Sequence, residues 1–290
     1  MLLLLVLITI GVLTVTLQNY FCKNLFKTRS DNFAYSAVVY VFAVITTFLV
    51  NGCKIGELSL FSAIDGVFYG LMMTVELYFT LQAYKTGSMS FTSLFVVAAI
   101  MIPIIPSWLF WGEPVTWQQV TGIAVMFVAI AMILNVTAAD RKTINVKWLK
   151  NVIPAFLASG LAGVCEMVLT QSEYADQSDG FILFGLVFAV VTMLLVLLFL
   201  TKKEKEPVTF KPTLRISLPT VCIGVFYSLA CIITLAVLKQ LPASVVFTLN
   251  NGVRLIIVTV LDVLLFKEQI NKKQYAGLAL GIVGIILLSV

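Results

Sequence analysis

Ten apolar runs, each about as long as a bilayer core is thick, set what this chain can become. They fall at 2–21, 33–50, 58–83, 89–111, 117–136, 152–172, 180–200, 215–238, 243–266 and 273–290. Hydrocarbon supplies no hydrogen-bond partners, so a backbone inside it must satisfy its own N–H and C=O groups. The polar stretches between the runs are too short to fold as separate domains. The predicted fold class is therefore an all-α integral membrane protein with ten transmembrane helices. Composition agrees: 11% of the residues are charged, against roughly 25% in a soluble domain. The opening MLLLLVLITIGVL lacks a basic leader and a small-residue cleavage site, so it reads as the first membrane helix rather than a signal peptide.

Several kinds of chemistry are excluded early. The chain has no histidine, which removes the commonest general base and metal ligand. It also removes HExxH proteases and hydrolases built on a Ser–His pair. There is no GxxxxGK[ST] loop for nucleotide phosphates. The five cysteines, Cys22, Cys53, Cys165, Cys222 and Cys231, show no paired spacing. An enzyme is not expected, nor is a cofactor, a metal site or nucleic acid as a partner. The expected partners are a small-molecule substrate and the lipid bilayer, with protons as a candidate coupling ion.

One segment occurs twice. WGEPVTWQQVTGIAVMFVAIAMIL begins at Trp111, and FKEQINKKQYAGLALGIVGIILLS begins at Phe266. A shift of 155 positions carries Glu113 onto Glu268, Gln119 onto Gln274 and Gly122 onto Gly277. The chain thus divides into repeats at 1–136 and 150–290, five helices each. Five is odd, so the second repeat enters the membrane from the opposite side. Basic residues follow the same logic. Sixteen of the nineteen lie in the odd-numbered loops, two (Lys54 and Lys239) in the even ones, and Arg254 within a helix. The positive-inside rule puts the odd loops in the cytoplasm and both termini outside. Within the repeated turn, Gly112, Trp117 and Gln118 stand where Lys267, Lys272 and Lys273 stand in the second copy, as opposite membrane faces require. Two inverted repeats can open to either side by exchanging conformations, which is the symmetry of alternating access.

Ten helices in two halves, each ending in Glu-x(5)-Gln-x(2)-Gly and a final apolar helix, resemble the drug/metabolite transporter superfamily, specifically its EamA-like members. Glu113, Gln119, Gly122, Glu268, Gln274 and Gly277 carry the resemblance, with YKTGSMS (84–90) and LKQLPAS (238–244) as connections of similar type. The match departs where Lys267 replaces Gly112 and where Arg254 has no counterpart, Ala99 standing there. The resemblance implies a secondary transporter with a central pocket, in a bacterial plasma membrane. It does not name the solute.

Ionisable groups at helix centres are the candidates for the site, because a charge in the bilayer core costs about 2.5–3.5 kcal/mol on insertion scales. Arg254 lies mid-helix, four residues after Asn250 and three after Asn251, so the three share a face. A guanidinium there can hold a carboxylate bidentately, or pair with an acid on a neighbouring helix. Glu76 and Glu166 are the buried acids. Glu76 has Tyr69 seven residues before it on the same face, an arrangement suited to an ammonium ion or to proton binding. Tyr227, on the helix equivalent to that of Glu76, is a candidate opposite it; aromatic filling is the plain alternative. Pro103 and Pro106 should interrupt the fourth run. Glu113 and Glu268 read as turn residues. Gly277 and Gly281 form GxxxG, which packs against a neighbouring helix or across a homodimer.

The resulting expectation is a secondary transporter of a small polar or zwitterionic, amino-acid-like metabolite. An organic cation, or a membrane sensor or accessory subunit that binds without transporting, are the alternatives.

Overall fold

The computed structural model of the chain describes residues 2–24, 28–99, 101–112, 116–136, 145–209, 214–241, 246, 250 and 272–289. Its helices are α1 (Leu2–Asn24), α2 (Arg29–Val50), α3 (Leu60–Thr86), α4 (Met89–Ala98), α5 (Met101–Trp111), α6 (Trp117–Val136), α7 (Val146–Gln171), α8 (Ser178–Lys202), α9 (Leu214–Leu238) and α10 (Lys272–Ser289). A single 3₁₀ turn at Ala175–Gln177 leads into α8. Among the described residues there is no β-strand. Among the described residues, five helical stretches are long and apolar enough to cross a membrane: α2, α3, α7, Ala175–Lys202 and Leu218–Leu238.

The fourth apolar run is two helices, α4 and α5, broken around Ala99. Proline explains the place. Pro103 has no N–H for the carbonyl of Ala99 four residues back, and its ring crowds that carbonyl. The Ala99 carbonyl instead accepts from Ile102 N at 2.9 Å, a tighter turn. Pro154 and Pro219 fall inside α7 and α9; α7 begins six residues before its apolar run, at Val146.

The described chain forms two compact units, residues 1–74 with 168–239 and residues 75–167 with 240–290. They divide the chain differently from the sequence repeats, and each unit draws on both halves.

In the first unit, α2 packs along α8. These are the second helices of the two repeats. Each is also covered by the third helix of the opposite repeat, and the two crossings are made alike. At α3 on α8, a methyl group added to Gly70 would strike the carbonyl of Gly185 and come within 2.9 Å of Ala189 N. At α9 on α2, one added to Gly224 would strike the carbonyl of Val39 and come within 3.3 Å of Ala43 N. Both glycines thus lie over a carbonyl and the amide four residues on. A hydroxyl pair stands one turn further in each: Thr74 with Thr192 at 2.6 Å, and Ser228 with Thr47 at 2.8 Å. The same 154 positions separate Gly70 from Gly224 and Thr74 from Ser228.

Both ends of this unit are tied. At one, Thr28 caps α2 in a reciprocal box with Asp31. The fully buried Asp31 carboxylate also accepts from Thr209 N at 2.6 Å and Thr209 Oγ1 at 2.7 Å. Its place at a helix N-terminus stabilises the charge. Arg29 adds a bond from Nε to Glu206 at 2.8 Å and an ion pair with Glu204. At the other end the tie is uncharged: Gln177 Oε1 accepts from Ser59 N at 2.8 Å and Ser62 Oγ at 2.7 Å.

In the second unit, α6 packs along α10. They are the fifth helices of the two repeats, and Gly122 and Gly277 are both buried. Gly281 is buried as well, consistent with GxxxG serving packing within the chain. The core gathers around Trp148, whose Nε1 donates to Thr92 Oγ1 at 2.9 Å and whose ring meets Phe95 edge-on at 5.2 Å. Asn145 caps α7 through Trp148 N at 2.8 Å and reaches the Thr86 carbonyl at the end of α3. Ile102, just past the break, seats on Gly160 of α7.

Backbone pressed this closely against a new methyl group has no rotamer by which to yield. Gly70→Ala and Gly224→Ala are each expected to lower stability by about 1–3 kcal/mol or more. Gly66→Ala, whose nearest contact is the Phe181 carbonyl at 3.2 Å, is expected to lower it less. Thermal unfolding of the full chain in detergent measures the order.

Candidate functional site

The second unit holds most of the candidate charge. Glu76, on α3 just beyond Thr74, and Glu166, near the end of α7, are both half-buried, and neither is free of interactions. Glu76 has Thr80 one turn on, on the same helix face. Among the described residues the buried Thr80 Oγ1 has no hydrogen-bond partner. Asn250 lies in a helical position at 8% exposure, and its Oδ1 is likewise unpartnered among the described residues. A buried amide oxygen without a donor is costly, on the order of 1–3 kcal/mol. A ligand donor is one way to relieve it. Asn251 and Arg254, the neighbours that sequence spacing placed on the same face, lie outside the described residues, as do Glu113 and Glu268.

Tyr69 and Tyr227 belong to the first unit. Tyr69 is buried, its ring 5.1 Å from that of Phe181. Tyr227 is half-buried and receives a hydrogen bond from Tyr40 at 3.1 Å, with ring centroids 4.9 Å apart. It stands one residue before Ser228 and extends the polar contacts between α2 and α9. Tyr40, Thr47, Thr74 and Thr192 were not among the sequence candidates. Their role depends on which helices are neighbours, and no local pattern reveals that. The Asp31 anchor did leave a signal, Thr28-Arg29-Ser30-Asp31 ahead of an apolar run, which is the spacing of a capping box.

With this geometry in view, the relatives are informative. Residues 150–290 match the model of the EamA-like transporter family. Over those residues the chain is similar to EamA-like transporters. The likeness of fold extends further: a solved crystal structure of a protein superposes with a TM-score of 0.67. It covers 99% of this chain and 94% of its own at 16% identity, and so speaks to fold alone. No curated protein sequence matches. The EamA-like match over residues 150–290 and several membrane-length apolar helices support an integral membrane protein of the drug/metabolite transporter type. Transport rather than catalysis is the activity of that family.

Tyr227 supplies a direct check on the α2–α9 contact. Tyr227→Phe removes the acceptor of the Tyr40 hydroxyl and is expected to lower stability by about 1 kcal/mol. Tyr40→Phe in the same background should then add little, because the bond is already gone. A double-mutant thermal cycle reads the coupling.

Proposed function

We propose that the chain is a secondary transporter of a small zwitterionic metabolite, amino-acid-like in charge, working by alternating access between two inverted five-helix repeats. The observation that carries the mechanism is the doubled glycine crossing. Gly70 on α8 and Gly224 on α2 make the same backbone contact, each between a third helix of one repeat and the second helix of the other. A two-fold relation between the repeats accounts for that reciprocity, as it does for an interface in which each partner uses the same surface. The pairing of α6 with α10 supports the same relation. A pseudo-two-fold axis in the membrane plane makes the inward- and outward-open states near mirror versions of one another.

The chemistry of the cargo follows from the polar groups. Glu76 offers a carboxylate within a membrane helix, and Asn250 offers an amide oxygen with no donor among the described residues. Both accept hydrogen bonds and suit an ammonium group. Arg254, by its sequence position, suits the carboxylate at the other end of such a molecule. Asn251 and Glu166 join this proposed set; Tyr69 and Tyr227, the other sequence candidates, belong to the first unit. Glu76 and Glu166 are the acids in membrane helices through which solute movement can couple to a proton gradient.

Purified full-length chain in proteoliposomes, loaded with mixed amino acids, tests the reading. It predicts saturable counterflow of at least one zwitterion and a drop of tenfold or more in Arg254→Gln. Glu76→Gln should abolish acceleration by an imposed pH gradient. No flux of any amino-acid-like solute, or undiminished flux in Arg254→Gln, contradicts the assignment.

A further inference from the structure

The end of α8 carries a charge arrangement that the transport site does not use. Residues 202–206 read Lys-Lys-Glu-Lys-Glu, nearly balanced in sequence but sorted by folding. Glu206 takes the Nε of Arg29 at 2.8 Å and its backbone N–H at 2.7 Å, and Glu204 takes the other side of the guanidinium. Both acids are thereby committed to Arg29. Lys202, Lys203 and Lys205 are exposed and have no acid partner among the described residues. Lys205 sits in the left-handed region at φ 54°, where glycine is usual. Its turn is closed by Glu206 N to the Leu200 carbonyl at 3.1 Å. That turn sends Glu206 inward to Arg29 and leaves Lys205 in solvent.

Below these lysines runs an exposed apolar stripe of Val187, Val191, Leu194, Leu195, Leu198 and Phe199. Their spacing is that of one helix face. Twelve residues at about 1.5 Å each span about 18 Å, close to the depth of one leaflet in a hydrocarbon core of about 30 Å. The Lys203 ammonium lies 5.2 Å from the centroid of the Phe199 ring at the end of the stripe. An acyl chain along this face brings its phosphate to the level of the lysines. Three ammonium groups outweigh the partial negative charge of the helix end and the half-screened Glu204.

We propose that the C-terminal end of α8 binds an anionic phospholipid, its headgroup phosphate held by Lys202, Lys203 and Lys205 and its chain laid along the α8 stripe. The fold contains its own comparison. The equivalent helix α2 has an exposed stripe of Val38, Val41, Ile45, Phe48 and Leu49. It ends in Asn51-Gly52-Cys53-Lys54, with one lysine instead of three. The selectivity belongs to α8.

Native mass spectrometry of the full-length chain, titrated with phosphatidylglycerol and with phosphatidylcholine, reads the effect. Each lysine near an anionic headgroup contributes about fivefold. The wild-type chain is expected to prefer phosphatidylglycerol, and Lys203→Gln with Lys205→Gln to reduce that preference at least fivefold. Lys54→Gln should leave it unchanged. Lys205→Gly should weaken lipid preference while raising thermal stability, because glycine relaxes the turn; this separates headgroup binding from folding. Unchanged preference in the double variant overturns the proposal. So does displacement of the lipid by inorganic phosphate or glycerol phosphate at matched concentration, which marks a free-anion site instead.

Discussion

Two backbone-to-backbone contacts hold the first unit in register: Gly70 against Gly185 and Ala189, and Gly224 against Val39 and Ala43. In lipid there is little hydrophobic gain from pressing one apolar helix onto another. Association depends on close packing and on hydrogen bonds that hydrocarbon cannot replace. Glycine allows the backbones to approach, and the approach brings Thr74 to Thr192 and Ser228 to Thr47. Each crossing joins a helix from the first half of the sequence to one from the second. That is why the compact units cut across the halves of the sequence rather than following them.

Charge is used unequally at the two ends of the same unit. Arg29, Asp31, Glu204 and Glu206 bind α2 to the segment after α8, while Gln177, Ser59 and Ser62 do the corresponding work with neutral groups. The charged tie lies where basic residues concentrate, and its acids are drawn onto one arginine. The lysines beside them are left facing outward. A single local rearrangement of five residues thus fixes a helix end and exposes three positive charges at the rim of an apolar face.

Much of this architecture could be read from residues. Apolar length gave the all-helical class, five described stretches being long enough to span a membrane and the run at 243–266 lying almost wholly outside the described residues; Pro103 gave the break between α4 and α5 through the hydrogen bond it cannot make. The shift relating Gly122 to Gly277 pointed to two glycines that are indeed buried on contacting helices. Other features were visible but unread. Gly70 and Gly224 are separated by nearly the same shift as the repeated turn, and Thr28 with Asp31 has capping-box spacing. What could not be read was partnership between helices. Repeat position sets Tyr227 opposite Glu76 but gives no sign of its bond with Tyr40, because helix periodicity defines a face and not the neighbour it meets. Among the proposed site residues, Glu76, Glu166 and Asn250 fall in one unit and Tyr69 and Tyr227 in the other. Burial separates them in kind: the Asn250 amide oxygen lacks a donor among the described residues, whereas Tyr227 already has one.

The account stands on the two repeats crossing the membrane in opposite senses. Single cysteines at Trp117 and Lys272, in a background with the five native cysteines replaced, test this most directly when membranes are labelled with an impermeant thiol reagent from each face in turn. Opposite repeats require Trp117→Cys to label from one face and Lys272→Cys from the other. Labelling of both from the same face would contradict the inverted arrangement and the transport cycle built on it.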